Sequence, residues 1–134
     1  MKVLVTGVAG FIGFHVAQAL LKQGMDVVGV DTLNAYYDPS LKQARLEQLE
    51  PHPQFSFLKT DVSSPEAMQA LVERHSNLDA VVHLAAQAGV RHSMVDPYSY
   101  VTSNVMGQVA LLEACRHLKK LTHVVYASSS SVYG

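Results

Sequence analysis

The sequence predicts an α/β fold in which helices cover both faces of a doubly wound parallel sheet of five strands. Two observations carry this prediction. Short runs rich in β-branched residues alternate with longer helical patterns, and these short runs are apolar without a polar residue at every second position, which indicates strands buried on both faces. With 134 residues, 49% of them apolar, the chain can form one buried core.

The strands are predicted at residues 3–6, 26–30, 55–59, 80–84 and 122–127. Because crossovers between parallel strands are right-handed, we expect the spatial order 3-2-1-4-5. No low-complexity linker or internal repeat divides the chain. All 134 residues are therefore expected to form one layered unit.

Helix boundaries follow from capping residues. The first helix is predicted over residues 11–23, ending before Gly24, a residue suited to the left-handed conformation. Three further helices are expected where a capping side chain precedes a proline, at Asp38-Pro39, Ser64-Pro65 and Asp96-Pro97. The last of them, over residues 97–118, is the longest. Its helical spacing gives an apolar stripe of Val101, Val105, Val109 and Leu112.

The composition excludes several classes of function. A net charge of −1 with scattered charged residues forms no basic patch for nucleic acid, and no apolar stretch approaches the roughly 18 residues of a membrane span. The seven histidines lack metal-ligand spacing, so we expect no metal site, and His83 is predicted to be a hydrogen-bonded core residue. The single Cys115 favours a buried structural thiol in a reduced, cytoplasmic protein.

A glycine-rich turn directly follows the first predicted strand. Gly7 permits the tight turn, Gly10 lets backbone approach a pyrophosphate, and Gly13 lets the next helix pack closely on the strand. The unpaired N–H groups at the start of that helix favour phosphate, with Phe11 and Ile12 in the same turn as candidate cofactor contacts. A glycine triplet alone also fits a plain strand-to-helix turn, but a strand before it and a helix after it favour a dinucleotide site.

Asp31 ends the second predicted strand, 18 residues after Gly13. A carboxylate at this place can accept hydrogen bonds from the adenosine ribose hydroxyls of a dinucleotide. Asp31 would repel a 2′-phosphate, and no Arg or Lys lies between Asp31 and Leu41 to bind one. The pattern therefore predicts NAD in preference to NADP; the alternative is an ordinary loop carboxylate.

The ends of two further strands complete the predicted cofactor site, since ligands of open parallel sheets bind at the carboxyl ends of the strands. Asp61 and Val62 follow the third strand and are expected to flank the adenine. Small side chains after the fourth strand leave room for the second ribose and the nicotinamide. These residues are Leu84, Ala85 and Ala86.

Taken together, the motifs resemble the extended short-chain dehydrogenase/reductase family, the NAD-dependent epimerases and dehydratases of nucleotide sugars with a Rossmann-type domain. The matching stretches are VTGVAGFIG (5–13), GVDTLN (29–34), TDV (60–62), VVHLAAQAGVR (81–91), SNVMG (103–107) and ASSSSVYG (127–134). Within the family, NAYYDPSLKQARL (34–46) together with HLAAQAGVR (83–91) is most similar to the UDP-glucuronate 4-epimerases.

The resemblance implies a reaction in which NAD transiently removes a hydride from a sugar carbon and returns it to the opposite face. The family uses a tyrosine base, a lysine, and a serine or threonine that hydrogen-bonds the reacting oxygen; the last matches Ser129. Further cofactor contacts are implied for Asn34, Asn104 and Ser128. Contacts to the UDP-sugar are implied for Arg91, Ser130 and Ser131.

Three positions depart from the family pattern. Thr32 stands where many relatives have asparagine, which puts one cofactor hydrogen bond in doubt. Ser130 and Ser131 stand where dehydratases carry Asp-Glu, and hydroxyls cannot replace carboxylates in acid–base work. An epimerase is therefore favoured over a 4,6-dehydratase.

The resemblance also implies that residues 1–134 are an incomplete NAD-binding domain, without the sixth strand onward, the Tyr-x-x-x-Lys helix and the substrate domain. We expect the chain to be inactive alone; a free-standing NAD-binding module is the alternative. Self-association is expected through the 97–118 helix or through an exposed sheet edge.

Overall fold

The computed structural model describes residues 1–34 and 38–133 and shows a parallel sheet of five strands in the predicted order, β3-β2-β1-β4-β5. All four pairings between neighbouring strands are parallel. The strands are β1 (Lys2–Thr6), β2 (Asp26–Asp31), β3 (Phe55–Lys59), β4 (Ala80–His83) and β5 (His123–Tyr126). Every boundary lies within one residue of its predicted place.

The first three helices begin at the predicted residues. They are α1 (Phe11–Lys22), α2 (Pro39–Leu49) and α3 (Pro65–Arg74). Asp38 caps α2 by accepting a hydrogen bond from the Ser40 N–H, and Ser64 caps α3 by accepting one from the Ala67 N–H. Each cap satisfies a donor that helix geometry leaves without a partner, which explains why these helices begin where they do.

The predicted 97–118 helix is three consecutive segments and ends earlier than expected. It consists of α4 (Pro97–Tyr100), a π-helical segment (Val101–Met106) and α5 (Gly107–Cys115). The backbone stays right-handed helical through both junctions, at Val101 and Gly107. The wider π turn coincides with Asn104, whose side chain bonds to a neighbouring loop, and π segments inside helices often occur at such places.

The apolar stripe on this helix faces outward. The side of α5 that packs on the protein is made instead of Gly107, Ala110, Leu111, Ala114 and Cys115. A methyl group at Gly107 would stand 2.8 Å from the Val62 side chain, so the small residue permits a close approach. The four residues of the stripe are 42–60% exposed: Val101, Val105, Val109 and Leu112.

The core consists of two clusters, one on each face of the sheet. On β1, Leu4 points into the cluster beneath α3 and α5, whereas Val3 and Val5 point into the cluster beneath α1 and α2. This burial confirms the two-sided cover predicted for the central strands. The prediction of cover on both faces was wrong for β5, where Val124 packs on the core but Val125 is 55% exposed. The reason is that the described helices cover only one face of β5.

A buried polar contact joins β1 to β4 at their carboxyl ends. The Thr6 hydroxyl lies 2.7 Å from His83 Nδ1 and accepts hydrogen bonds from the backbone N–H groups of Leu84 and Ala85. These two donors occupy the hydroxyl lone pairs, so the hydroxyl proton must be donated to Nδ1. His83 is therefore neutral with its proton on Nε2, and burial lowers its pKa. The prediction of a hydrogen-bonded core histidine is confirmed.

His83 should make the fold sensitive to acid. Below the ordinary histidine pKa of about 6.5 the unfolded chain binds a proton that the folded chain refuses, so stability falls as the pH falls through that value. In the variant His83→Asn, an amide oxygen can accept the Thr6 hydrogen bond without titrating. We expect its unfolding free energy, measured with urea, to fall less between pH 7.5 and pH 5.5 than that of the wild type. The difference between the two proteins should correspond to the binding of at most one proton on unfolding. The exposed His52→Asn is the matched control, and an identical decline in all three proteins would contradict this role.

Gly13 sets the distance between α1 and the turn after β1. A methyl group there would overlap the Gly7 carbonyl oxygen and lie 2.8 Å from its carbon, and neither backbone atom can move aside. Gly24 has a positive φ of 80° but open space around it. We expect Gly24→Ala to cost only the conformational penalty, about 1–2 kcal/mol, and Gly13→Ala to cost more in the same urea titration. Equal losses would show that α1 can shift without penalty.

Candidate dinucleotide site

A cavity of about 550 Å³ opens at the carboxyl ends of the central strands, and its volume is typical of small-molecule sites. Its walls come from the turn after β1, the segment after β2, the face of α2 and the loops after β3 and β4. Twelve residues predicted to contact a cofactor line it: Gly7, Gly10, Phe11, Ile12, Gly13, Asp31, Asn34, Asp61, Val62, Leu84, Ala85 and Ala86. Thr32, one of the three departures from the family pattern, lines it too.

The glycine turn presents the start of α1 to this cavity. Gly7 adopts a φ of 68°, and a methyl group there would lie 2.9 Å from the Ala85 nitrogen, so the turn packs directly on the loop after β4. Gly10 is the N-cap residue and provides no side-chain cap, and the first turn of α1 contains no acidic residue. The N–H groups of the first helical turn therefore keep their capacity for an external acceptor, with the positive end of the helix dipole behind them.

Asp31 is buried at the centre of the site, with 6% of its surface exposed. Its Oδ2 accepts a hydrogen bond from the Ala9 N–H at 3.1 Å, and its Oδ1 accepts one from the Leu33 N–H at 2.8 Å. Oδ1 also lies 3.2 Å from the Lys42 ammonium. One carboxylate thus connects the glycine turn, the segment after β2 and helix α2.

The sequence analysis missed two basic residues of the cavity wall, Lys42 and Arg45 on α2. The segment after Asp31 that was expected to lack a cation ends at Leu41, one residue before Lys42. A signal was present, because Lys42 shares the buried face of the helix with Leu46 and Leu49, at spacings of four and seven residues. A lysine on an apolar helix face indicates a buried partner.

The loops after β3 and β4 form the remaining walls. Asp61 is exposed, and its Oδ1 accepts hydrogen bonds from the backbone N–H and the hydroxyl of Ser63, which fixes the turn that leads into α3. Val62 is 5% exposed and packs between this turn and α5. Leu84 and Ala85 are held from below by the Thr6 hydroxyl, which accepts a hydrogen bond from each backbone N–H. The site therefore combines one polar wall with one wall of small apolar side chains.

Two predicted residues, Asn104 and Arg91, lie outside the cavity wall. The Asn104 amide accepts a hydrogen bond from the Gln87 N–H at 2.7 Å and donates one to the Gln87 carbonyl at 3.2 Å. Asn104 therefore holds the loop after β4, and its neighbour Ser103 lines the cavity. Arg91 is exposed at the start of a short 3₁₀ helix (Arg91–Met94). Their predicted contacts to cofactor and substrate stay predictions.

The serine run follows β5 at the rim of the site. Ala127 lines the cavity, whereas Ser128, Ser129, Ser130 and Ser131 are exposed and outside its wall. The Ser129 hydroxyl accepts a hydrogen bond from the Ser131 N–H at 3.1 Å and so begins a 3₁₀ helix (Ser130–Tyr133). The predicted roles of these serines toward cofactor and substrate also stay predictions.

Three remaining features bear on other functions. Burial raises the pKa of the Cys115 thiol to about 11, as suits a structural residue. Within residues 1–34 and 38–133, no cluster of three or more His, Cys, Asp or Glu side chains could hold a metal ion. Among the described helices, none has the length and apolar character needed to cross a membrane.

Comparison with known proteins gives consistent matches along the chain. The GDP-mannose 4,6-dehydratase family matches residues 4–134. UDP-glucuronate 4-epimerase 4 of Arabidopsis thaliana is 50% identical over 134 residues, which are 100% of this chain and 30% of that protein. The UDP-glucuronate 4-epimerase of Thermodesulfobacterium geofontis is 48% identical over 132 residues, 97% of this chain and 40% of that protein.

A solved structure agrees with these sequence relatives. The UDP-glucuronic acid 4-epimerase from Bacillus cereus, in complex with UDP-glucuronic acid and NAD, superposes with a TM-score of 0.89 at 43% identity. The match covers 100% of this chain and 42% of that one, so the chain spans about two-fifths or less of the length of these three relatives. By the family match over residues 4–134, the chain belongs to the GDP-mannose 4,6-dehydratase family, within the NAD-dependent epimerases and dehydratases of the extended short-chain dehydrogenase/reductase type.

Proposed function

We propose that this chain binds NAD and forms the cofactor-binding part of a nucleotide-sugar epimerase that acts on UDP-glucuronate at C4. The observation that carries the proposal is the meeting, in one cavity, of the uncapped start of α1 and the buried Asp31 carboxylate. These two features complement the pyrophosphate and a ribose of a dinucleotide. The NAD and UDP-glucuronic acid bound in the Bacillus cereus enzyme support the choice of cofactor and substrate.

The cavity fits NAD residue by residue. The first-turn N–H groups of α1 bind the pyrophosphate, and Gly10 lets the backbone approach it without an intervening side chain. Asp31 accepts a hydrogen bond from the adenosine ribose, with Asn34 nearby in the cavity wall. Asp61 and Val62 flank the adenine. Residues 84–86 receive the nicotinamide half.

The other predicted residues act at the rim of the cavity. NAD supplies a reversible hydride acceptor. In this proposal Ser129 positions the reacting sugar oxygen, while Ser128 and Asn104 support the cofactor. Arg91, Ser130 and Ser131 contact the UDP-sugar.

Two features favour an epimerase over a 4,6-dehydratase. Ser130 and Ser131 lack the carboxylates that water elimination needs, and the two relatives at 48–50% identity are UDP-glucuronate 4-epimerases. No Tyr-x-x-x-Lys occurs in residues 1–134. We therefore propose that these residues form a single NAD-binding domain that holds the cofactor and does not itself supply the proton-transferring base. The free, buried Cys115 supports a cytoplasmic location.

Calorimetric titration tests cofactor binding. We expect the 134-residue chain to bind NAD more tightly than NADP, because a 2′-phosphate would approach the Asp31 carboxylate. The variant Asp31→Asn removes that repulsion and should reduce the ratio of NAD affinity to NADP affinity at least tenfold. The chain alone should leave UDP-glucuronate unchanged in a coupled assay. Absence of NAD binding by the wild type, or tighter binding of NADP, would overturn the proposal.

We also propose that a second copy of the chain covers the outward stripe of the helix over residues 97–115. Its four apolar residues lie on successive turns and are 42–60% exposed, as in surfaces that mediate association. In sedimentation experiments the wild type should dimerise, and Val105→Lys together with Val109→Lys should give monomers. Val125→Lys, on the open face of β5, tests the sheet-edge alternative. Dissociation by the β5 variant and not by the helix variant would move the interface to the sheet edge.

A further inference from the structure

Lys42 is a buried cation in the cavity wall, and the proposed function assigns it no contact with the cofactor. Its side chain is 11% exposed, and within the described part of the chain Asp31 Oδ1 is its one hydrogen-bond partner. An ammonium group has three N–H donors, so two have no partner among residues 1–34 and 38–133. Because Lys42 lines the cavity, ligand atoms are positioned to accept them. Water can accept these two hydrogen bonds in the open cavity, and a ligand that places acceptors there can replace it.

The hydrogen bonds that Asp31 accepts also indicate that the ribose needs a second protein partner. A carboxylate offers about four acceptor positions. The N–H groups of Ala9 and Leu33 and the Lys42 ammonium fill three of them. One position remains, so Asp31 can accept a hydrogen bond from one ribose hydroxyl but not from both.

We propose that Lys42 is the second ligand of the adenosine ribose, donating to the hydroxyl oxygen that Asp31 cannot reach. This inference rests on NAD binding as proposed above. In this arrangement the ribose 2′- and 3′-hydroxyls bind to the Asp31 carboxylate, which accepts, and to the Lys42 ammonium, which donates. These two groups form an ion pair. A hydroxyl group suits such a pair because it can donate to the carboxylate and accept from the ammonium.

The placement of Lys42 does not depend on its own contact with Asp31. Helix α2 is anchored by Leu46 and Leu49, both fully buried, and by Arg45, whose guanidinium donates to the Ala9 carbonyl at 3.0 Å. Replacing Lys42 by methionine keeps the apolar stem and removes the charge. The helix should therefore stay in position, and the loss of the ammonium can be measured separately from a loss of structure.

The arrangement also determines how the site treats NADP. A 2′-phosphate would meet a carboxylate and an ammonium 3.2 Å apart, so Lys42 offsets part of the repulsion from Asp31. Removing Lys42 leaves that carboxylate without its cation. Lys42→Met should therefore weaken NADP binding more than NAD binding and sharpen the selectivity for NAD.

The test is calorimetric titration of the wild-type chain, Lys42→Met and Lys120→Met with NAD and with NAD analogues that lack the 2′- or 3′-hydroxyl of the adenosine ribose. Lys120 is the matched control, because its ammonium lies 3.6 Å from Asp79 at the opposite end of the sheet. We expect Lys42→Met to weaken NAD about tenfold or more, as for loss of a charged hydrogen bond. One deoxy analogue should bind the wild type and Lys120→Met about tenfold more weakly than NAD, yet bind Lys42→Met as well as NAD does.

The outcomes separate this inference from the function on which it rests. If the wild type fails to bind NAD, the proposed function fails. Suppose that the wild type binds NAD, but that each deoxy analogue loses as much affinity relative to NAD in Lys42→Met as in the wild type. The role of Lys42 is then overturned, and the proposed function stands. Urea unfolding of the unliganded proteins serves as the structural readout. A weaker NAD affinity with unchanged deoxy discrimination would identify Lys42 as a merely structural residue.

Discussion

The buried carboxylate of Asp31 is the constraint on which the site depends. Its contacts with Ala9, Leu33 and Lys42 join the glycine turn, the segment after β2 and helix α2. Burying a charge is costly unless it is paired and hydrogen-bonded, and here both conditions are met. The same contacts determine how many hydrogen bonds the carboxylate can still make, so the arrangement that makes burial tolerable also sets what the cavity can recognise.

Much of the fold could be predicted because its signals are local. Proline after Asp38 and Ser64 marks two helix starts, and glycines 7, 10 and 13 mark one turn, without any knowledge of distant residues. The cavity wall at residues 84–86 followed from the topology, since parallel strands end at one edge of the sheet. Most of the residues that line the cavity could therefore be predicted from the ends of the strands.

What could not be predicted depends on contacts between distant residues. The outward direction of the Val105 and Val109 stripe depends on which side of α5 has room beside Val62, where Gly107 allows the close approach. The π segment coincides with the two hydrogen bonds of Asn104 to Gln87, 17 residues away. Lys42 belongs to the site because α2 packs over Asp31, and spacing along the chain alone does not show this.

The contact between Thr6 and His83 spans 77 positions of the sequence. The floor of the cavity therefore exists only after β4 has paired with β1, which makes its assembly a long-range, high-contact-order event. A partly folded chain can form the glycine half of the cavity but lacks the other half, which is the floor beneath Leu84 and Ala85. A ligand that requires both halves binds only the fully paired sheet, and by mass action it stabilises the whole domain rather than the first β-α unit alone.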